Sequence, residues 1–145
     1  MAADFSKILV AVDESAHAEK AFRHAMAIAQ KFGSKVTVVH VMSAPAAGGG
    51  MGHFPVQEAV RTAVESADGL AQKFSALAKQ EFGLAVETRT AKGAIADEIL
   101  KAASSEHATL IVMGSRGLTG IKELMLGSVS SAVVHKSKVP VLTVK

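Results

Sequence analysis

The sequence predicts a single α/β domain in which an open sheet of five parallel strands carries helices on both faces. Short apolar runs alternate along the chain with longer segments whose apolar residues recur every three or four positions. This alternation is typical of successive β-α-β units, which build parallel sheets. The length of 145 residues and the hydrophobic content of 49% suit one domain with its own buried core.

The first half of the chain supplies two strands, one helix and a loop. Lys7–Val12 is a short, β-branched apolar run and predicts a strand buried on both faces. Glu14–Phe32 has the apolar spacing of an amphipathic helix, and Gly33 is a typical helix stop. Ser34–Met42 predicts the second strand. Ser43–Phe54, rich in Ala and Gly and without a period, predicts a flexible loop of a length that is often functional.

The middle of the chain repeats this pattern. Pro55 is a good first-turn residue for a second helix. The apolar positions of this helix continue to Phe82, and Gly83 is expected to end it. Leu84–Thr90 alternates between apolar and polar residues and predicts the third strand. Gly93 is expected to open a third helix.

The last part of the chain completes the sheet. Ala108–Met113 predicts the fourth strand, and Val139–Val144 predicts the fifth. Between them, Gly114–Gly127 is punctuated by glycines, and Ser128–Lys136 predicts a short fourth helix. In open sheets of this kind, ligands bind beyond the carboxyl ends of the strands, at the switch point of the strand order.

Composition excludes several classes of function. The chain has no cysteine, which rules out disulfides, a thiolate nucleophile, an iron–sulfur cluster and a cysteine-ligated zinc site. The net charge of +3 is small and its charges are interspersed, so we expect no nucleic-acid partner. The apolar runs are far shorter than a membrane span, and no signal peptide is evident, so we expect a soluble, cytoplasmic protein without a membrane partner.

The glycine segment carries the clearest chemical signal. Two residues separate Gly114 from Gly117, nine separate Gly117 from Gly127, and a predicted helix starts at Ser128. Glycines allow a ligand to approach the backbone, and a helix N-terminus offers N–H groups and a positive dipole end to phosphate. The predicted phosphate cradle has two parts: a loop with Gly114, Arg116 and Gly117, and a helix start with Gly127, Ser128, Val129 and Ser130. The alternative is that the glycines only make turns and Ser128 only caps a helix.

These features together resemble the universal stress protein family along nearly the whole chain. The opening strand runs into AVDES, the second strand reads VVHVM, and the last reads VPVLTV, as in that family. The series Gly114-x2-Gly117-x9-Gly127-Ser128 is similar to the ATP-binding pattern of one of its branches. Glu14 departs from the glycine that many members carry. The resemblance implies a Rossmann-like sheet, of the adenine nucleotide alpha hydrolase type, with strand order 3-2-1-4-5.

The resemblance also implies the roles of individual residues. Asp13 would lie near the ribose or a metal-bound phosphate, which makes it the one residue expected near Mg²⁺. The other implied contacts to ATP, or to another adenylate, come from the ends of strands one, two and four and from the segment that follows strand four. Adenine would be bordered by Ala11, Val12 and Val41, with backbone hydrogen bonds from Val41 to its edge and Met113 packed nearby. The ribose and phosphates would be wrapped by Gly114, Arg116 and Gly117. The phosphates would be held through N–H and hydroxyl groups by Gly127, Ser128, Val129 and Ser130.

The resemblance further implies a homodimer that pairs its Val139–Val144 edge strands, because an unpaired apolar edge is a liability that a second copy removes. Its function would be that of a stress-response protein that binds ATP, hydrolyses it slowly at most, and uses it as a switch that orders the Ser43–Phe54 loop. An unknown protein partner stays open.

Other interpretations stay open as well. Asp13 is also a plausible N-cap of the first helix. His17 and His24 lie seven residues apart and are expected on a solvated helix face, whereas His40 is expected to be packed rather than catalytic. An interaction protein with an empty site is the main alternative function, and a flavin or electron-transfer protein on the same scaffold is the next.

Overall fold

The fold is an α/β sandwich of three layers. The computed structural model describes residues 3–43, 56–116 and 126–145. Within these ranges the elements are β1 (Lys7–Ala11), α1 (Ala16–Phe32), β2 (Lys35–Met42), α2 (Val56–Phe82), β3 (Glu87–Lys92), α3 (Ile95–Ser105), β4 (Leu110–Gly114), α4 (Ser128–Lys136) and β5 (Val141–Val144). The strands form one sheet in the order β3-β2-β1-β4-β5, with every neighbouring pair parallel. The predicted fold class and strand order are confirmed.

Strand β1 lies at the centre of the sheet because both of its faces are apolar. Ile8 and Val10 point to the side covered by α1 and α2, whereas Leu9 and Ala11 point to the side covered by α3 and α4. Alternate residues of a strand face opposite sides of the sheet, so an uninterrupted apolar run can serve two cores at once.

Contacts between α1 and α2 hold the first face together. The Phe22 and Phe74 rings lie 4.8 Å apart between centroids, and both side chains are buried. At the surface, Arg23 donates to Glu81 and thereby holds the pKa of that carboxyl below its ordinary value. Helix α1 is thus fixed to the sheet and to α2 along its length.

Helix α1 begins later than its sequence pattern predicts and ends where predicted. Ser15 is the N-cap, since its Oγ accepts a 3.1 Å hydrogen bond from Ala18 N. Gly33 ends the helix with a φ of +66°, a left-handed conformation that glycine adopts without steric cost. The prediction that the helix starts at Glu14 is wrong by two residues because the serine hydroxyl, and not the acidic residue, caps it.

The predicted boundaries of β3 are wrong. The alternation over Leu84–Thr90 predicts a strand there, but β3 runs from Glu87 to Lys92. Leu84 and Val86 instead pack against the α1–α2 core as the chain leaves α2. Strand β3 is an edge strand with largely exposed residues, so its position is fixed by pairing with β2 and not by apolar burial. Gly93 has a φ of +146° and precedes α3 rather than opening it.

Strand β5 forms the opposite edge and is shorter than the predicted Val139–Val144. It begins at Val141, while Val139 packs against the α3–α4 core before the strand starts. Of the other predicted features, Gly117, Pro55 and nearly all of the Ser43–Phe54 loop lie outside the described residues. In the described parts of the chain, no helix combines the length and the apolar composition that a membrane span requires.

Candidate functional site

The sheet has one switch point, between β1 and β4. From β1 the chain proceeds through β2 to β3 on one side, and from β4 to β5 on the other. The last paired residues of the two central strands are Ala11 and Met113. In open α/β sheets, the crevice that takes a ligand lies beyond the carboxyl ends of the strands at such a switch point.

The turn after β1 places Asp13 beside this crevice. Asp13 Oδ1 accepts a 2.8 Å hydrogen bond from Ser15 N, which orients the carboxylate and forms a tight turn into α1. Its other oxygen accepts no hydrogen bond from the described residues, and the side chain is half-buried. Because Ser15 is the N-cap of α1, the interpretation of Asp13 as that cap is wrong. One carboxylate oxygen is thus directed by the fold and the other can face a ligand.

The end of β2 leaves part of its backbone unpaired. Val12 N donates to Val39 O over 2.9 Å, and Gly93 N donates to Met42 O over 3.0 Å. Since backbone groups of neighbouring strand residues point in opposite directions, those of Val41 point towards β1, beyond the point where β1 has ended. They make no hydrogen bond to the described residues. Val41 therefore offers one donor and one acceptor at the switch point.

His40 borders the same place. Its Nδ1 lies 3.0 Å from Val12 O, so the ring donates to the carbonyl that ends β1. The side chain is half-buried. The expectation that His40 is packed is confirmed. Its ring donates to Val12 O, the carbonyl that the Val41 N–H would meet if β1 continued.

Apolar side chains near the crevice separate by face. Ala11, Val41 and Met113 belong to the cluster on the α3–α4 face, and Val129 packs against it. Val12 lies in the cluster on the opposite face, beneath α1. The structure thus brings three of the four residues expected around an adenine together with Val129, and it does not bring the Val12 side chain to them.

The segment after β4 is tied to α4 through one carbonyl. Ser115 O accepts hydrogen bonds from Gly127 N over 2.8 Å and from Ser130 Oγ over 2.6 Å. Ser115 N donates to Val144 O over 2.8 Å, which also joins the segment to β5. Both Ser115 and Ser130 are buried. The Ser130 hydroxyl proton and the Gly127 N–H therefore hold the N-terminus of α4 in place.

The N-terminus of α4 presents its first N–H groups and the positive end of the helix dipole. Gly127 is its N-cap and has no side chain to cap it, and the first turn holds no acidic residue. The N–H groups of Ser128–Ser130 donate to none of the described residues. Helices α1 and α3, in contrast, carry Glu19 and Asp97 with Glu98 in their first turns. An anion is the natural partner of the α4 N-terminus.

The two described motif glycines differ in the space around them. A Cβ on Gly114 would lie 2.8 Å from His17 Cβ, and one on Gly127 would lie 3.4 Å from Ser115 O and 3.5 Å from Arg116 Cα. Gly114 thus allows α1 to start against the end of β4. At Gly127, an added Cβ would make only ordinary van der Waals contacts with Ser115 and Arg116. Neither glycine has a positive φ.

Sequence reasoning missed two residues of this arrangement. His17 is half-buried, and its Nε2 lies 3.4 Å from Arg116 Nη2, so the expectation of a solvated position is wrong for His17. It is right for His24, which is exposed. Ser115 escapes notice because its role depends on its carbonyl, which every residue has. The proximity of His17 to a motif residue could be found only from the pairing of α1 with β4.

The described residues give little support to a metal site built by protein alone. They contain no group of three His, Asp or Glu side chains placed to hold an ion. Asp13, with one oxygen already committed to Ser15 N, is the carboxylate at the crevice that can reach a ligand-borne cation. A divalent ion here would need to arrive with most of its ligands supplied by phosphate and water.

Comparisons with known proteins agree with this architecture. The family model of the universal stress protein family matches residues 4–145. Universal stress protein YxiE of Bacillus subtilis is 36% identical over 148 residues, covering 97% of this chain and 99% of that protein.

Solved structures give the same result. The universal stress protein UspA of Lactobacillus plantarum superposes with a TM-score of 0.79 at 26% identity, covering 99% of this chain and 100% of that one. A universal stress protein from Archaeoglobus fulgidus, solved in complex with dAMP, has a TM-score of 0.65 at 23% identity, covering 99% and 100% of the two chains. The second likeness concerns the fold alone. From the match across residues 4–145 and the full-length relative, the chain belongs to the universal stress protein family.

Proposed function

We propose that this protein binds an adenine nucleotide, ATP with Mg²⁺ in the first place, in the crevice between β1 and β4. The observation that carries the proposal is the N-terminus of α4. Its first N–H groups have no acceptor among the described residues, and the first turn of α4 holds no acidic side chain. They lie beside the switch point, where open parallel sheets bind their ligands.

The residues present fit the parts of an adenylate. The apolar group of Ala11, Val41 and Met113 suits a flat base, and the unpaired backbone of Val41 can read the hydrogen-bonding edge of that base. Asp13 lies in the turn between β1 and α1, and the proposal places a ribose or a phosphate-bound Mg²⁺ beside it. Arg116 supplies a planar charged fork for phosphate. Bound Mg²⁺ would offset phosphate charge, with Asp13 as its nearest protein ligand.

The proposal assigns Ser128 and Val129 to the phosphates through their N–H groups. It assigns Ser130 to the phosphates through its N–H alone, because its hydroxyl proton is donated to Ser115 O. Gly127 is assigned no hydrogen bond to the phosphates, because its N–H also donates to Ser115 O. Its lack of a side chain leaves space for them. Gly117 stays a proposed phosphate contact.

A hydrolytic function receives less support than a binding function. Rapid phosphoryl transfer requires a group that orients water and a charge clamp on the γ-phosphate. Asp13 and Arg116 are the candidates, and the Asp13 carboxylate is partly committed to Ser15 N. We therefore propose that the nucleotide acts as a regulatory ligand that is turned over slowly at most.

The first experiment replaces Gly127 by Asp. Asp is a favoured N-cap, and its charge suits the helix dipole, so the ligand-free protein should be as stable as the wild type or more so. The same carboxylate repels phosphate. We expect wild-type protein at saturating Mg-ATP to gain roughly 5–10 °C in Tm, from about 2.7 kcal/mol of binding energy at a hundredfold excess over Kd, and the variant to gain nothing.

The matched control is Gly69→Asp. Gly69 lies on α2, where an added Cβ meets no atom within 4 Å. This variant carries the same substitution away from the site and should keep the full ATP-dependent shift. Equal shifts in all three proteins would overturn the proposed site. Absence of any shift in the wild type, together with purified protein free of nucleotide, would favour the alternative of an interaction protein with an empty site.

We also propose that the protein is a homodimer paired through β5. Ile111 N donates to Pro140 O, and Ser115 N donates to Val144 O. Because backbone direction alternates, the groups of Val141 and Thr143 point to the open edge of the sheet. This edge carries half-buried apolar side chains, and pairing with a second copy would satisfy its donors and acceptors.

A further inference from the structure

One contact near the proposed site has no part in the assignments above. His17 Nε2 lies 3.4 Å from Arg116 Nη2, across 99 residues of sequence. A guanidinium only donates hydrogen bonds, so the His17 Nε2 is the acceptor in this contact. The contact is held by the fold, because α1 begins against Gly114 at the end of β4.

Arg116 thereby connects the N-termini of two helices. Its backbone lies against Gly127, the N-cap of α4, and its guanidinium reaches His17, the second residue of α1. A phosphate bound at the N-terminus of α4 would meet this guanidinium together with its histidine partner. The Arg116 guanidinium carries one positive charge, whereas the terminal phosphates of a nucleotide carry several negative charges.

We propose that His17 is a phosphate-binding residue that takes up a proton from solvent when the terminal phosphate of the ligand binds between it and Arg116. This inference rests on the proposed function. A phosphate oxygen that accepts from both nitrogens, at about 2.8 Å each, separates them by about 4.5 Å, so the observed pair needs to open by only about 1 Å. A nearby anion favours the charged form of an imidazole, and the new N–H then points at the phosphate.

In this proposal, the negative charge that favours protonation of His17 comes from the ligand. Helix α1 packs against β1, β2, β4, β5 and α2. The charged and titratable residues on or next to these elements include Lys7, Asp13, Glu14, Glu19, Lys20, Lys35, His40, Arg61, Glu65, Asp68, Lys73, Arg116 and Lys145. Among the described residues, only Arg116 makes a hydrogen bond to the His17 ring. Glu19 pairs with Arg23, and Glu65 pairs with Arg61. Among the described residues, no carboxylate forms a hydrogen bond or an ion pair with the His17 ring, so we expect the ligand phosphate to supply the negative charge.

The test is calorimetric. Binding of Mg-ATP and of Mg-AMP is measured near pH 7 in two buffers of different ionisation enthalpy, and the difference gives the number of protons taken up. The proteins are wild type, His17→Gln and His24→Gln. His24 lies two turns further along α1, is exposed and contacts Lys20 O, so it is the matched control.

We expect wild type and His24→Gln to take up the same number of protons with Mg-ATP, and His17→Gln to take up about 0.5–1 proton fewer. His17→Gln should bind Mg-ATP about tenfold more weakly at pH 6.5, which corresponds to one charge-assisted hydrogen bond, and about equally at pH 8.5. The three proteins should differ much less in proton uptake and affinity with Mg-AMP, which lacks the β- and γ-phosphates.

Each other outcome has a definite meaning. Tight binding of Mg-ATP with equal proton uptake in wild type and His17→Gln would overturn this inference and leave the proposed function standing. Weaker binding by His17→Gln at every pH without a change in proton uptake would reduce His17 to a structural role and would also overturn it. If no protein binds an adenylate, the proposed function fails and this inference fails with it.

Discussion

At the scale of single residues, the glycines of one motif perform different tasks. Gly114 sits where an added Cβ would lie 2.8 Å from His17 Cβ and 3.1 Å from the His17 backbone carbon. Gly127 has room for a Cβ at 3.4 Å from its nearest neighbour. The regular spacing of the motif suggests one shared purpose, but its first glycine serves the packing of α1 on β4 and its last leaves space at the start of α4.

The first prediction follows from this difference. Gly114→Ala should destabilise the fold by about 1–3 kcal/mol, because α1 and β4 must move apart. Gly127→Ala should change the free energy of unfolding by less than about 1 kcal/mol, since its Cβ contacts are ordinary. Gly69→Ala, on the exposed face of α2, should stabilise by about 0.5–1 kcal/mol. Urea denaturation measures all three, and equal stability of the two motif variants would contradict the packing role of Gly114.

A second prediction separates structure from ligand binding at Ser130. Its hydroxyl is buried and donates to Ser115 O, which also accepts from Gly127 N. Ser130→Ala removes one of these two hydrogen bonds and should cost about 1–2 kcal/mol of stability. The affinity for Mg-ATP should stay within about threefold, because the phosphate receives the N–H of Ser130 and not its hydroxyl. A large loss of affinity with unchanged stability would assign the hydroxyl to the ligand.

Residue identities predict side-chain chemistry better than they predict position. The expected site contained Asp13 and Arg116, whose carboxylate and guanidinium can be recognised in any sequence. It lacked His17, because His17 and His24 are seven residues apart, about two helical turns, and the sequence pattern therefore places them on the same helix face. Only the crossing of α1 over the end of β4 makes His17 half-buried and leaves His24 exposed.

At the scale of secondary-structure elements, burial decides which strands the sequence can define. Strands β1 and β4 are buried, and their apolar runs predict them to within two residues at either end. Strand β3 is exposed on alternate residues, and apolar residues that precede it belong to the core under α2. Its register is set by hydrogen bonds to β2, which leave no mark on the residue pattern.

A third prediction concerns the β5 edge. The Thr143 backbone points away from β4, so Thr143→Pro removes a donor from the open edge without breaking a hydrogen bond to β4. We expect a folded monomer where the wild type is a dimer, as measured by sedimentation velocity and circular dichroism.

Leu142→Pro is the contrasting variant, because the Leu142 backbone faces β4. That substitution should destabilise the whole sheet, by about 3 kcal/mol or more. A dimer in Thr143→Pro would show that the subunits associate through another surface.

At the scale of the whole molecule, the proposed ligand site and the proposed dimer edge share one residue. Ser115 N donates to Val144 O at the end of β5, and Ser115 O accepts from Gly127 N at the start of α4. A shift of β5 against β4 therefore moves the N-terminus of α4 directly. The same peptide unit that steadies the phosphate cradle also steadies the edge strand.

The last prediction is that nucleotide binding and dimer formation strengthen each other. A second copy on β5 fixes Val144, which holds Ser115 and with it the α4 N–H groups that meet the phosphate. Thermodynamic linkage requires that the factor by which dimer formation tightens Mg-ATP binding per subunit equals the factor by which each bound nucleotide tightens the dimer. We expect that factor to be about fivefold or more, as is usual for coupled sites. Sedimentation equilibrium with and without Mg-ATP gives one side of the equality, and calorimetry on wild type and Thr143→Pro gives the other. The dimer dissociation constant of Gly127→Asp should be the same with and without Mg-ATP. A dimer dissociation constant that Mg-ATP leaves unchanged in the wild type would separate the two sites and contradict the role of Ser115 as their link.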